Sequence, residues 1–227
     1  DAQATIRDLV RHGVPAAQCT AIPCPPLSRV IFKLPQKEHE PTFLFVSRIV
    51  KMKGIEDVIR AFSLICDVLP LARLWVVGTG EEAYLATLKH NLKLRVKRLR
   101  VTFYGYVSEK KKLFLMRKAH VLLHASVKEG WGLVVLEAAS QGTPSVVYDT
   151  HGLSEVVQHG RTGIVVDDNS PQSLAREAIG LYKNQNLYRE YQKNGISWVK
   201  SLRWKDVTKT SLSLLIQVYE KHNASHH

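Results

Sequence analysis

Apolar positions along this chain fall into two alternating patterns. Short continuous apolar runs occur at 42–48 (TFLFVSR), 72–78 (ARLWVVG), 100–107 (RVTFYGYV), 120–126 (HVLLHAS), 144–149 (PSVVYD) and 163–166 (GIVV). Their length and β-branched content predict strands buried on both faces. Between them lie segments with helical spacing. In 54–69, Ile55, Val58, Ile59, Phe62, Ile65 and Leu69 recur on one face of a helix. Further helices are predicted at 81–93, 109–119 and 132–141, with a short one near 152–158, and the chain reads as helical from Pro171 onward. Strand and helix alternating at this interval predict an α/β fold, a Rossmann-like doubly wound parallel sheet covered by helices on both sides. Such sheets bind ligands at the carboxyl ends of their strands.

Residues 1–27 stand outside the repeat. IRDLVRHGVP is a short helix ended by Gly-Val-Pro, and TAIPCPPLSR is an extended proline-rich linker. The expected compact domain runs over 28–200, followed by a C-terminal helix and tail at 201–227. With 227 residues, the chain has room for one large domain, or one domain plus pieces of another. It begins at Asp1 without a Met, which predicts a fragment of a longer protein. A hydrophobic content of 45% excludes a disordered chain. No apolar run approaches the ~18 residues of a membrane span, and no signal peptide is visible. Three cysteines (Cys19, Cys24 and Cys66) in no zinc pattern predict a reducing, cytoplasmic setting.

The formal charge is +12, and most of it is local. Eleven Lys/Arg stand against one acid, Glu109, between Lys89 and Lys118, which leaves only +2 elsewhere. This stretch is either the solvated face of helices or a surface for anionic partners. An anionic membrane surface, engaged peripherally, ranks ahead of nucleic acid.

Arg48 ends the first strand, and Lys51-Met-Lys-Gly leads into the next helix. Arg48 and Lys53 would then flank a helix N-terminus, which suits a diphosphate; the alternative is an ordinary charged loop. Gly78-Thr-Gly80-Glu-Glu-Ala83 matches G-x-G-x-x-A in form. It follows the second strand and lacks the partner acid of a nicotinamide site, so it reads as a tight strand-to-helix turn. EGWGLVVLEAASQGTP (129–144) sets Glu129 before a predicted helix and Glu137 inside it. Gly130 and Gly132 permit close approach of backbone to a ligand, and the amides of Gly132, Leu133 and Val134 would be donors aimed at an anion. An extended ligand with a central diphosphate and hydroxyls at both ends fits this layout. A dipole-stabilising acid and a salt-bridged helix acid would fit it equally. His124 ends a strand beside this place and could touch a ligand. The histidines as a group show no metal-ligand spacing.

Taken in order, these segments resemble the carboxyl-terminal donor-binding domain of retaining GT-B glycosyltransferases, group 1 or family 4. FVSRIVKMKGIEDVIRAF is similar to that family's strand–Arg–Lys-Gly–helix segment, and LWVVGTGEE to its second strand with G-x-G. VTFYGYVSEKKK is similar to its F-x-G-x-V turn, ASVKEGWGLVVLEAASQGTPSVV to its E-x7-E motif, and GLSEVVQHGRTGIVV to the segment closing the donor site. The match covers roughly 40–185. The resemblance implies transfer of a hexose-type sugar from a nucleotide-diphosphate sugar, UDP or GDP, to an acceptor hydroxyl with retention, without cofactor or metal. It implies that Arg48, Lys53 and Glu129 are catalytic, the cations holding diphosphate and Glu129 sugar hydroxyls. Gly54, Gly130, Trp131, Gly132, Leu133 and Val134 would line the donor site, and Glu137 would hold the ribose. Tyr106 and Val107 would border the base, and Glu155 would shape the far wall. A carbohydrate or lipid-linked acceptor would bind through an amino-terminal domain of which 1–27 resembles only the tail. Tyr148-Asp-Thr-His-Gly152 departs from the smaller loop of many relatives. A GT-B epimerase, a phosphorylase or a non-catalytic binding module would share many of these residues.

Overall fold

The computed structural model describes residues 3–95 and 99–224. Six parallel strands form one sheet: β1 (Thr42–Val46), β2 (Arg73–Val77), β3 (Arg100–Gly105), β4 (Val121–His124), β5 (Ser145–Val147) and β6 (Gly163–Val165). Their order is β3-β2-β1-β4-β5-β6. The chain therefore runs outward from β1 in one direction, returns, and runs outward from β4 in the other. The crevice between the carboxyl ends of β1 and β4 is the switch point where such sheets hold ligands.

Nine α-helices occur among the described residues: α1 (Gln3–Arg11), α2 (Ile55–Val68), α3 (Glu82–Arg95), α4 (Glu109–Lys118), α5 (Leu133–Ser140), α6 (Leu153–Val156), α7 (Pro171–Lys183), α8 (Gln185–Ser201) and α9 (Trp204–Ala224). Alternate strand residues feed two separate cores, as a period of two requires. Phe43, Phe45, Leu74, Val76, Val121 and Leu123 pack beneath α2 and α7. Leu44, Val46, Trp75, Val77 and Leu122 pack against α4 and α5. Both faces of the central strands are thus dry, which is why they read as unbroken apolar runs.

Strand ends differ from the expectation by one or two residues, and glycine accounts for two of them. β2 stops before Gly78 (φ 135°) and β3 stops at Gly105 (φ 65°). Tyr106 then leaves the sheet and is 84% exposed, while Val107 folds back onto the second core.

The amino-terminal segment is tied to the domain at two points. Glu155 accepts hydrogen bonds from the amides of Gln3 and Ala4, each at 2.7 Å, and so caps α1 with a carboxylate. Trp131 is buried, and its indole N–H donates to the Cys24 carbonyl in the proline-rich linker at 2.8 Å. At the other end, α9 leaves Leu212, Leu215, Ile216 and Tyr219 exposed at helical spacing. No helix among the described residues is long and apolar enough to cross a membrane.

Candidate functional site

The crevice is built by loops that press closely on one another. After β1, Ile49 donates its amide to the Thr79 carbonyl at 2.7 Å. A Cβ on Gly78 would lie 1.8 Å from the Ser47 carbonyl oxygen, and one on Gly80 would lie 2.1 Å from that of Ile49. The G-x-G pair therefore lets two loops fit flush, and it stands in the strand-to-helix turn expected of it. The turn carrying Lys53 is held against the end of β4. The Val127 amide and the Ser126 hydroxyl both donate to the Met52 carbonyl, at 3.0 and 3.2 Å. Gly54 (φ 70°) sits where a Cβ would be 2.0 Å from the Ala125 carbonyl oxygen. This close approach brings a lysine from the β1 side to a glutamate from the β4 side.

Lys53 Nζ lies 2.7 Å from Glu129 Oε2, and His124 Nε2 lies 3.4 Å from the same oxygen. Burial alone would raise the Glu129 carboxyl. Hydrogen bonds from His124 and Lys53 outweigh it and hold the group at about 2. A second pair stands deeper along α5. Lys112 Nζ is 2.9 Å from each Glu137 carboxylate oxygen and 2.9 Å from Glu109 Oε2. Burial raises the Glu137 carboxyl, and Lys112 only partly opposes it. Burial would lower the Lys112 ammonium, but its two carboxylates raise it above the ordinary lysine value.

Between the two pairs, α5 begins at Gly132 (φ 65°), which has no side-chain cap. The Val135 amide is taken by the Gly132 carbonyl. The amides of Leu133 and Val134, which open the helix, have no partner among the described residues. The open cavity there measures about 270 Å³ and is lined by Val46, Ser47, Lys53, Lys112, His124, Glu129, Gly132, Leu133, Val134 and Glu137.

Six of the expected residues thus share one wall: Lys53, Glu129, Gly132, Leu133, Val134 and Glu137. Arg48 stands on the loop after β1 but is exposed and outside this lining. Gly54 shapes the site from behind. Gly130 borders open space. Side-chain direction sets other expected residues apart from the cavity: Trp131 turns into the second core and the linker. Glu155 turns to α1, and Tyr106 and Val107 lie outside the lining. In the sequence Lys112 is one cation of the basic stretch, of which Lys97 and Arg98 lie outside the described residues. Its spacing of three from Glu109 on a predicted helix was the available signal.

Comparison with known proteins places these features in a family. The family model for glycosyl transferases group 1 matches residues 28–198. An uncharacterized glycosyltransferase of Methanocaldococcus jannaschii is 34% identical over 174 residues, covering 71% of this chain and 44% of the relative. N-acetyl-alpha-D-glucosaminyl L-malate synthase of Bacillus anthracis is 35% identical over 153 residues, covering 67% of this chain and 39% of the relative. The chain therefore spans less than half the length of either. The fold is similar to that of Anabaena Alr3699/HepE in its complex with UDP-glucose, with a TM-score of 0.78 and 20% identity over 95% of this chain and 62% of that one. The Rossmann-like sheet is the one expected of a GT-B half, and the chain belongs to the glycosyl transferases group 1 family.

Proposed function

We propose that this chain is the donor-binding part of a longer retaining glycosyltransferase that takes a hexose-type sugar from a nucleotide-diphosphate sugar. One observation carries the reading: two carboxylates, two lysines and the open amides of α5 face a single cavity at the switch point of the sheet. Residues 28–200 form the donor domain, 1–27 the end of the preceding domain with its linker, and 201–227 the closing helix and tail. UDP-glucose in the similar HepE fold supports a uridine donor.

In this reading the diphosphate lies over the α5 N-terminus and draws Lys53 from Glu129. Glu129 then accepts hydroxyls of the transferred sugar, and Glu137 those of the ribose. Arg48, exposed on the same loop, swings in as a second cation. The bond from the anomeric carbon to the diphosphate oxygen breaks, and its electron pair leaves with the diphosphate. The acceptor oxygen bonds on the same face, and its proton passes to a leaving phosphate oxygen. Lys53, Arg48 and the helix amides stabilise charge that grows only as that bond breaks, which is what accelerates a reaction.

Isothermal titration of UDP and GDP into the wild type and Lys53→Ala tests this. Loss of a charge-assisted hydrogen bond predicts affinity reduced on the order of tenfold or more. Arg48→Ala is expected to cost less, because its side chain starts outside the cavity. Equal affinity in the wild type and Lys53→Ala would overturn the reading.

A further inference from the structure

At the far end of the sheet lies a second hollow that donor binding leaves unused. It measures about 450 Å³ and is lined by Arg29, Val30, Ile31, Phe32, Lys33, Pro35 and Arg117. Three of these residues are cations and none is an acid. The Ile31 amide donates to the Ser140 carbonyl, and Pro35 packs where Gly142 turns the chain. The hollow therefore sits at the carboxyl end of α5, about 12 Å of helix away from the donor cleft.

The cations are held in place from behind. Gln141 is fully buried. Its Oε1 accepts from Arg117 Nε and Nη2 at 3.2 and 2.7 Å, and its Nε2 donates to the Arg29 carbonyl at 2.8 Å. One buried side chain thus sets both cation-bearing segments against each other and leaves Arg117 Nη1 unspent. Arg29, Lys33 and Arg117 have no carboxylate partner among the described residues. By contrast, Arg73 and Arg100 at the same end of the sheet share Glu40. Phe32 is 93% exposed at the edge of the hollow, with the Lys200 ammonium 5.4 Å from its ring centre. Phe32 is thus an exposed aromatic ring among four cations, three of which line the hollow.

We propose that this hollow is a second anion site, which takes a phosphate monoester between Arg29, Lys33 and Arg117 with its apolar body against Phe32. A phosphate monoester has three terminal oxygens, one for each cation, where a carboxylate or a phosphodiester has two. Phosphate monoesters come from lipid headgroups at a membrane surface or from soluble metabolites, and the two are separable. Two probes serve: glycerol 3-phosphate by titration calorimetry, and phosphatidic acid–phosphatidylcholine vesicles against pure phosphatidylcholine vesicles by co-sedimentation at low and high salt. Arg29→Glu with Lys33→Glu reverses two side chains whose loss leaves the Arg29 carbonyl contact in place. Binding of either probe should fall on the order of tenfold per reversed cation. Phe32→Ala should weaken the vesicle arm and spare the soluble arm. Glycerol phosphate binding alone assigns a soluble ester, and salt-sensitive vesicle binding assigns a headgroup. The proposal falls if neither probe binds, or if the reversal leaves binding unchanged. It also falls if Lys53→Ala abolishes binding, which would place the anion in the donor cleft; loss of nucleotide binding alone in that variant leaves it standing.

Discussion

Glu129 and Glu137 are eight residues apart and share one cavity, yet their surroundings push them in opposite directions. Glu129, with two donors on one oxygen, ionises at about 2. Glu137, more deeply desolvated, is raised above 4.5. On acidification Glu137 therefore takes up its proton first. Nucleotide affinity measured against pH should begin to fall above 4.5, while the Lys53–Glu129 pair is still intact. For stability the signs are opposite. The Glu129 contribution is complete above 4.5 and is lost as the pH drops from there towards 2, whereas the Glu137 contribution is lost as the pH rises through its raised folded value. Lys112→Met removes the only cation on Glu137 among the described residues, so the acid limb of nucleotide binding should move to higher pH. An unmoved limb would mean that Lys112 has no hold on Glu137. Lys53 and Glu129 were legible in the sequence because each precedes a helix start whose place the pattern fixes, and Glu137 because it lies about a turn inside the helix that Glu129 precedes. Lys112 was not, because it meets Glu137 only when α4 crosses the sheet from β3 to β4. Trp131 misled for a related reason: its neighbours on both sides point to ligand, but its own direction is set by the linker beneath it.

At the level of elements, the alternation of apolar runs and helical stripes was enough to place six strands and the helices between them, because both faces of the central strands are dry. Their ends were less legible, since a positive φ at a glycine stops a strand without changing its hydropathy. The same glycines hold the site together. Gly54→Ala should destabilise the domain by more than about 2 kcal/mol in chemical denaturation, since the added carbon meets backbone rather than a side chain that can yield. Gly130→Ala meets nothing within 4 Å and serves as its control, expected within about 0.5 kcal/mol of the wild type. Comparable losses in the two variants would remove the close approach at Gly54 as the cause.

The whole molecule is a sheet with attachments whose hold is uneven. The linker's hydrogen bond from Trp131 joins it to the loop that carries Glu129, so the path of the chain into the domain and the shape of the cavity are coupled. Trp131→Phe keeps most of the apolar contact and deletes the donor. It should cost about 1 kcal/mol and speed limited proteolysis within 12–27, with the domain core unaffected. Unchanged cleavage would show that packing alone secures the linker. None of this anchoring could be read from the sequence, where the linker is only a proline-rich interval.

The Lys53–Glu129 ion pair also bears on which solutes the cavity would admit. Free phosphate that drew Lys53 away would leave the Glu129 carboxylate with His124 as its one remaining side-chain partner among the described residues. A molecule with a hydroxyl beside its phosphate repairs what it breaks, because the hydroxyl replaces the lost lysine as donor. On the donor reading proposed above, inorganic phosphate is expected to displace UDP poorly in competition calorimetry; equal competition would show that the ion pair sets no such preference.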